Sequence, residues 1–180
     1  MWLFIMSDSL TFSALLIAYA YVRASNVWPT PFRFYPSIVF SSVMTLVLLS
    51  SSLASARKNK SAARKWILAT AVLGATFIVL HMIEWRHLIS EGLRPFQLPA
   101  EWVEKWPGST PLFGATFFGI TGMHMFHVAT GCIYLLVVAG RVNKLNHEDV
   151  EISGLYWHFV DLVWMFVFPM IYLLSIYPKK

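Results

Sequence analysis

Five long apolar segments dominate this sequence and set what it can fold into. They lie at about 1–21, 36–56, 65–83, 112–140 and 154–177. Each approaches or exceeds the roughly 20 predominantly apolar residues that a helix needs to cross a bilayer. Because 57% of the 180 residues are hydrophobic and only 13% are charged, the composition is unusual for a soluble domain. The pattern predicts an integral membrane protein.

The segments favour helices over strands. A membrane β-barrel alternates apolar and polar residues over about ten positions, whereas 37–53 and 66–80 are apolar on every face. We therefore predict an all-α, five-transmembrane-helix bundle that forms a single domain over 1–180. The first segment has no basic leader, and we expect it to be a retained helix rather than a signal peptide.

The basic residues predict the orientation of the bundle. Five Lys and Arg residues fall within the tight turn 57–65, and such a concentration in a short loop is typical of the cytoplasmic side. We expect a cytoplasmic N-terminus and a periplasmic C-terminus. The net charge of +5 does not indicate nucleic-acid binding, because the basic residues lie in connections, where lipid headgroups are the nearest anions.

Seven ionisable side chains interrupt the apolar segments and are the candidate functional residues. They are Asp8, His81, Glu84, His124, His127, His158 and Asp161. Six of them form three pairs spaced three residues apart, and this spacing places both members of a pair on one helix face. Ionisable groups at bilayer depth are costly and normally face a protein interior, so these faces are expected to point inward.

The rise of about 1.5 Å per residue distributes these residues along the membrane. Asp8, His158 and Asp161 are predicted in the third nearest the cytoplasm. The histidines of the fourth segment are predicted near the middle, and the pair His81 and Glu84 in the outer third. Because these residues are predicted at three different depths, we do not expect all seven to form a single site.

Three interpretations stay open from the pattern alone. The spacings occur in the metal centres of helical bundles, and His124 facing His158 could hold a haem. The residues could instead be buried hydrogen-bonding groups that fix helix register, since unsatisfied polar atoms in hydrocarbon are costly. The third interpretation is that the cytoplasmic group lies near a proton entry route.

Two stretches carry a resemblance to a known family. GATFFGITGMHMFHVATGCIYLL (114–136) and LYWHFVDLVWMFVFPMIYLL (155–174) closely resemble the last two helices of subunit III of cytochrome c oxidase, in the haem-copper oxidase superfamily. The first helix is also similar, with Ser7 followed by Asp8 where the family usually has Glu. The likeness covers nearly the whole chain. Longer members of the family have seven helices, whereas this chain has five predicted helices, as several bacterial members do.

The resemblance implies a subunit of a proton-pumping terminal oxidase that reduces oxygen to water in a bacterial cytoplasmic membrane. It implies no haem or copper in this chain, and both in partner subunits. The partners would be the catalytic haem-copper subunit I, the copper-bearing, cytochrome c-docking subunit II and bound phospholipid, and the complex could join a respiratory supercomplex. Asp8 would replace the family's buried acid, Glu84 would match an acid on the third helix, and the subunit would support proton uptake.

Other functions remain as alternatives. Within the superfamily, the chain could be the equivalent subunit of a quinol oxidase or an accessory protein of nitric oxide reductase. From a different class, it could be a free-standing membrane metal-binding protein that uses the histidine pairs.

Overall fold

The computed structural model describes residues 2–30, Ser42, Thr45, 60–141 and 147–175. These residues form α1 (Trp2–Ser25), α2 (Lys60–Ser90), the short α3 (Ala100–Lys105), α4 (Leu112–Arg141) and α5 (His147–Ile171), and a 3-10 turn follows at Leu173–Ser175. Within these ranges there are two isolated β-bridges and no strand. The predicted all-α fold is confirmed.

Four helices in the described part of the chain are long and apolar enough to cross a membrane. They are α1, α2 from Arg64, α4, and α5 extended to Ser175, and they match four of the five predicted segments. The remaining predicted segment, 36–56, lies outside the described residues except for Ser42 and Thr45, which are both helical.

Three of the four long helices, α1, α2 and α5, run in one direction and α4 runs in the other, as the predicted order of spans requires. α1 and α5 are parallel, because Phe4 contacts Tyr156 near the start of both, with ring centroids 5.9 Å apart. Near the end of both helices, the Tyr19 hydroxyl donates a hydrogen bond of 2.8 Å to the Met170 carbonyl. α2 is parallel to α5 as well, since Gly74 lies against Trp157 and, ten residues further along α2, Glu84 meets Tyr172 just after α5 ends. We call the end of the bundle where α1 begins the proximal end and the opposite end the distal end.

Glycines allow α2, α4 and α5 to pack closely around one tryptophan. Trp157 of α5 is fully buried, and Gly74 of α2 and Gly131 of α4 lie against its ring. A Cβ atom at Gly131 would lie 3.0 Å from the Trp157 ring, and one at Gly74 would overlap that ring and lie 2.8 Å from the Cys132 sulfur. The missing side chains therefore set the distance between these helices.

α1 is held to α5 chiefly at its two ends. At the distal end, the Arg23 guanidinium donates to the Leu174 carbonyl and, at 2.9 Å, to the Tyr19 hydroxyl oxygen. Together with Tyr19, it satisfies carbonyls where α5 ends, just after Pro169. Between the two ends an open groove separates the helices. It is lined by Ser9, Phe12, Ser13, Leu16, Phe159, Leu162, Val163 and Phe166.

The connection between α2 and α4 is folded back on the distal end. Arg94 and Gln97 exchange backbone hydrogen bonds of 2.9 and 3.1 Å, and the Thr110 N–H donates to the Val27 carbonyl at 3.2 Å. The Arg94 carbonyl packs directly against Gly114 at the start of α4. This long connection is therefore tied to both α1 and α4.

We predict that Gly74→Ala destabilises the protein. The added methyl group would overlap Trp157, and overpacking of this kind costs about 1–3 kcal/mol of unfolding free energy. The matched control is Gly119→Ala in α4, where an added Cβ meets no atom within 4 Å. Thermal unfolding in detergent should show a lower midpoint for Gly74→Ala and an unchanged or higher midpoint for Gly119→Ala. Equal midpoints would contradict the close packing.

Candidate functional site: two buried polar clusters

Asp8 and His127 form a hydrogen-bonded pair between α1 and α4. Asp8 Oδ2 lies 2.9 Å from His127 Nε2, and His127 Nδ1 lies 2.8 Å from the Met123 carbonyl oxygen. A carbonyl oxygen only accepts, so Nδ1 carries a proton. The contact between Nε2 and the carboxyl group then contains one further proton, which belongs either to the imidazole or to the acid.

Two hydroxyl groups lie at the backbone carbonyl of His127. The Tyr156 hydroxyl donates to the His127 carbonyl at 3.2 Å and lies 3.2 Å from the Thr130 hydroxyl. The Phe12 ring covers His127 edge-on, with centroids 5.3 Å apart. The Asp8 side chain is 16% exposed and that of His127 is 9% exposed, so the pair is close to the surface. We call Asp8, His127, Thr130 and Tyr156 the proximal cluster.

A second group of polar side chains lies near the distal end. The Tyr172 hydroxyl donates a hydrogen bond of 2.7 Å to Glu84 Oε2, and His81 Nδ1 lies 3.5 Å from the same oxygen. His81 and Tyr172 are fully buried and Glu84 is nearly so. We call these three residues the distal cluster. Sequence reasoning found its histidine and its acid but missed Tyr172, which lies three helical turns after Asp161 and so on the same face of α5.

His124 lies between the two clusters. It is buried, and its Nε2 is 3.1 Å from the Val160 carbonyl oxygen, to which it must donate. Its ring packs against Trp164 with centroids 4.8 Å apart. His124 therefore joins α4 to α5, one turn further into the bundle than His127.

The structure differs from the sequence-based expectations in two respects. His127 was expected nearer the middle of the membrane than Asp8, but the two side chains are hydrogen-bonded. Asp161 is buried on α5, whereas His158, expected on the same inward face, is exposed. His81 and Glu84 lie together in the interior of the bundle.

Neither cluster has the donor set of a metal centre. Across the described residues, no three side chains of His, Cys, Asp or Glu are placed to hold a metal ion. A haem between His124 and His158 is also not supported, because the first ring is buried against Trp164 and the second side chain is exposed. What the clusters can do chemically is hold, donate and accept protons.

We predict that Tyr172→Phe destabilises the protein although it keeps the shape of the ring. The buried carboxyl group of Glu84 loses the hydroxyl that donates to it, which costs about 1–3 kcal/mol of unfolding free energy. Tyr21, which is 74% exposed, offers a control, because Tyr21→Phe deletes the same atom at the surface. Thermal unfolding of both variants should show a loss for Tyr172→Phe alone, and an equal loss in both would contradict the assignment.

Comparison with known proteins places this arrangement in a family. The profile of the family described as cytochrome c oxidase subunit III matches residues 1–176. A cytochrome c oxidase subunit 3 from Synechocystis sp. is 32% identical, over 96% of this chain and 73% of its own length. A cytochrome c oxidase subunit 3 from Bacillus subtilis is 30% identical, over 97% and 84%. A cytochrome bo(3) ubiquinol oxidase subunit 3 from Pseudomonas aeruginosa is 30% identical, over 97% and 83%.

These similarities cover the two polar clusters as well as the membrane helices, because the matched residues include all of α1, α2, α4 and α5. The resemblance inferred from the sequence is thereby confirmed. The chain belongs to the cytochrome c oxidase subunit III family and is an accessory subunit of a haem-copper oxidase.

Proposed function

We propose that this chain is the non-redox subunit III of a proton-pumping cytochrome c oxidase in a bacterial cytoplasmic membrane. In that complex it packs on the catalytic haem-copper subunit I beside the copper-bearing subunit II, and oxygen is reduced to water in subunit I. Its role is to stabilise the catalytic subunit through repeated turnover and to support proton uptake. The observation that carries the second role is the pair of Asp8 and His127.

The pair has the properties that a proton-exchanging group needs. It contains one shared proton, it is partly exposed, and carboxylate and imidazole groups can exchange protons near neutral pH. It also lies at the end of the bundle where α2 begins, and the exposed basic residues Arg64 and Lys65 are at that same end. The positive-inside rule makes this end cytoplasmic, which is the side from which an oxidase takes up protons.

Bound phospholipid is the second part of the proposal. The groove between α1 and α5 is lined mainly by apolar side chains, as a site for an acyl chain requires. Arg64, Lys65 and Arg141 are exposed at the proximal end, where cationic side chains can meet lipid phosphates. A lipid in the groove would add contacts to α1, which has few buried residues of its own.

A quinol oxidase is the second candidate complex. The Pseudomonas aeruginosa relative belongs to a ubiquinol oxidase, and its identity to this chain is 30%, against 32% for the Synechocystis cytochrome c oxidase subunit. The two identities are nearly equal, so they favour neither electron donor. The electron donor docks on other subunits.

Co-purification tests the assignment directly. The chain is extracted from its native membrane in mild detergent, and the proteins and metals that accompany it are identified. We expect a haem-copper catalytic subunit and a copper-bearing subunit. Absence of the copper-bearing subunit would favour the quinol oxidase, and iron or copper bound to this chain alone would overturn the proposal.

We predict that Asp8→Asn leaves assembly intact but speeds the loss of oxidase activity during turnover. The amide keeps the size of the side chain and can still bond to His127, but it cannot exchange a proton. The matched control is Glu84→Gln, which makes the same change in the distal cluster. Oxygen consumption followed over many turnovers should decay faster for Asp8→Asn than for Glu84→Gln or the natural protein. Identical decay in all three would count against a role in proton uptake.

A further inference from the structure

The buried polar residues form an almost continuous line through the bundle. It begins at Asp8 and His127, continues one helical turn along α4 to His124, and resumes with His81 and Glu84 of the distal cluster. The line therefore approaches both ends of the bundle. In an energised membrane, a chain of proton-exchanging groups along such a line would let protons leak.

The line is interrupted by two aromatic rings between His124 and His81. Phe77 stacks on the His81 ring at 5.7 Å, with an interplanar angle of 16°, and meets the His124 ring edge-on at 5.8 Å. Trp164 contacts the same two imidazoles, at 5.5 Å from His81 and 4.8 Å from His124. Phe77 and Trp164 also pack against each other at 5.0 Å. Each ring thus touches a histidine from both sides of the interruption.

The two aromatic residues are buried, and Trp164 is also held by a hydrogen bond. Phe77 is 0% exposed and Trp164 is 1% exposed. The Trp164 indole N–H donates a hydrogen bond of 3.0 Å to the Thr45 hydroxyl, so its only polar atom is bonded to Thr45 and to neither histidine. Neither ring can accept and pass on a proton, so the pair separates the polar groups chemically as well as spatially.

The histidine nitrogens beside these rings are available for water. His124 Nδ1 and His81 Nε2 are buried and have no hydrogen-bond partner among the described residues, and His81 Nδ1 lies 3.5 Å from Glu84 Oε2 without forming a hydrogen bond. A space opened between them would be polar on both sides, and water enters such spaces when they have room for it. The aromatic rings are therefore what keeps water from bridging the two histidines.

The other titratable groups lie on one side of this barrier or the other. Asp161 precedes Trp164 by about one turn on α5, on the side of the proximal cluster, as does Tyr156. Tyr172 follows Trp164 by about two turns and belongs to the distal cluster. Each side thus has its own acid, histidine and tyrosine, and among the residues that the structure describes the aromatic pair lies between them.

We propose that Phe77 and Trp164 form a seal that prevents proton transfer between the two polar clusters and keeps this chain proton-tight. The seal lets a proton-exchanging group function at one end of the bundle without connecting it to the other end. The proposal concerns the passive permeability of this chain and does not depend on its role in oxidase turnover.

The test measures passive proton flux through the purified full chain in liposomes. Vesicles containing a trapped pH-sensitive dye receive an acid pulse, with potassium and valinomycin present to compensate charge. Vesicles with the natural chain should acidify as slowly as protein-free vesicles. Phe77→Ala should acidify several-fold faster, because water can then connect His124 with His81.

Two control variants separate a proton relay from a loosened bundle. Phe113→Ala removes an equally buried ring at the distal end, outside the space between the clusters, and should stay proton-tight. Phe77→Ala combined with His124→Leu removes one side of the relay and should restore the slow rate. Retention of a second, pH-insensitive trapped dye by every variant shows that the vesicles remain intact.

The outcomes decide the proposal in either direction. A folded Phe77→Ala that stays as tight as the natural chain would overturn it, and so would a leak that persists in the double variant. If Phe77→Ala does not fold, Phe77→Val replaces it, because the smaller loss of volume still opens the space between the histidines. A leak in Phe113→Ala of the same size would assign the effect to packing and would also reject the seal.

Discussion

The rule that buried polar groups need partners governs how this bundle is assembled. Most of its core is apolar, and apolar surfaces alone leave helices free to rotate and slide in a membrane, where lipid tails compete for the same contacts. The cross-helix hydrogen bonds remove that freedom. Asp8 fixes α1 on α4, His124 fixes α4 on α5, and Tyr172 fixes α5 on α2. The residues that look functional in the sequence are thus also those that set helix register.

The two polar clusters differ in their access to the surroundings. The proximal pair is partly exposed, so its proton can be exchanged, whereas the distal cluster is enclosed and held by a tyrosine hydroxyl. We propose that similar side chains serve different purposes at the two ends, with proton exchange at the proximal end and fixed packing at the distal end.

The sequence was sufficient for the fold class and for the identity of most buried polar residues, but not for their partners. Hydropathy and segment length identify spanning helices directly. Depth estimates assume that each helix starts at the membrane surface, and α4, with 30 residues, is about 45 Å long and extends past a hydrocarbon core of about 30 Å. Such overhangs shift the depth of a residue by a turn or more, which is enough to bring His127, expected near the middle of the membrane, to the level of Asp8.

The rotation of each helix about its own axis was a second feature that the sequence did not determine. Residues three apart lie about 60° from each other around a helix, so a boundary between inside and outside can pass between them. It does so between His158, which is exposed, and Asp161, which is buried. Both histidines of α4 are buried, although the spacing is identical. Spacing predicts a shared face, but the neighbouring helices decide where that face ends.

The pairing of Asp8 with His127 has a consequence for biosynthesis. The partners are 119 positions apart in the chain, so at typical rates of synthesis α1 is made on the order of ten seconds before α4. During that interval the carboxyl group of Asp8 has no His127 to bond to. It must remain in the headgroup region, enter the bilayer in its neutral form, or be shielded by another protein. In each case the native pairing of the first helix is completed only when the fourth predicted span arrives.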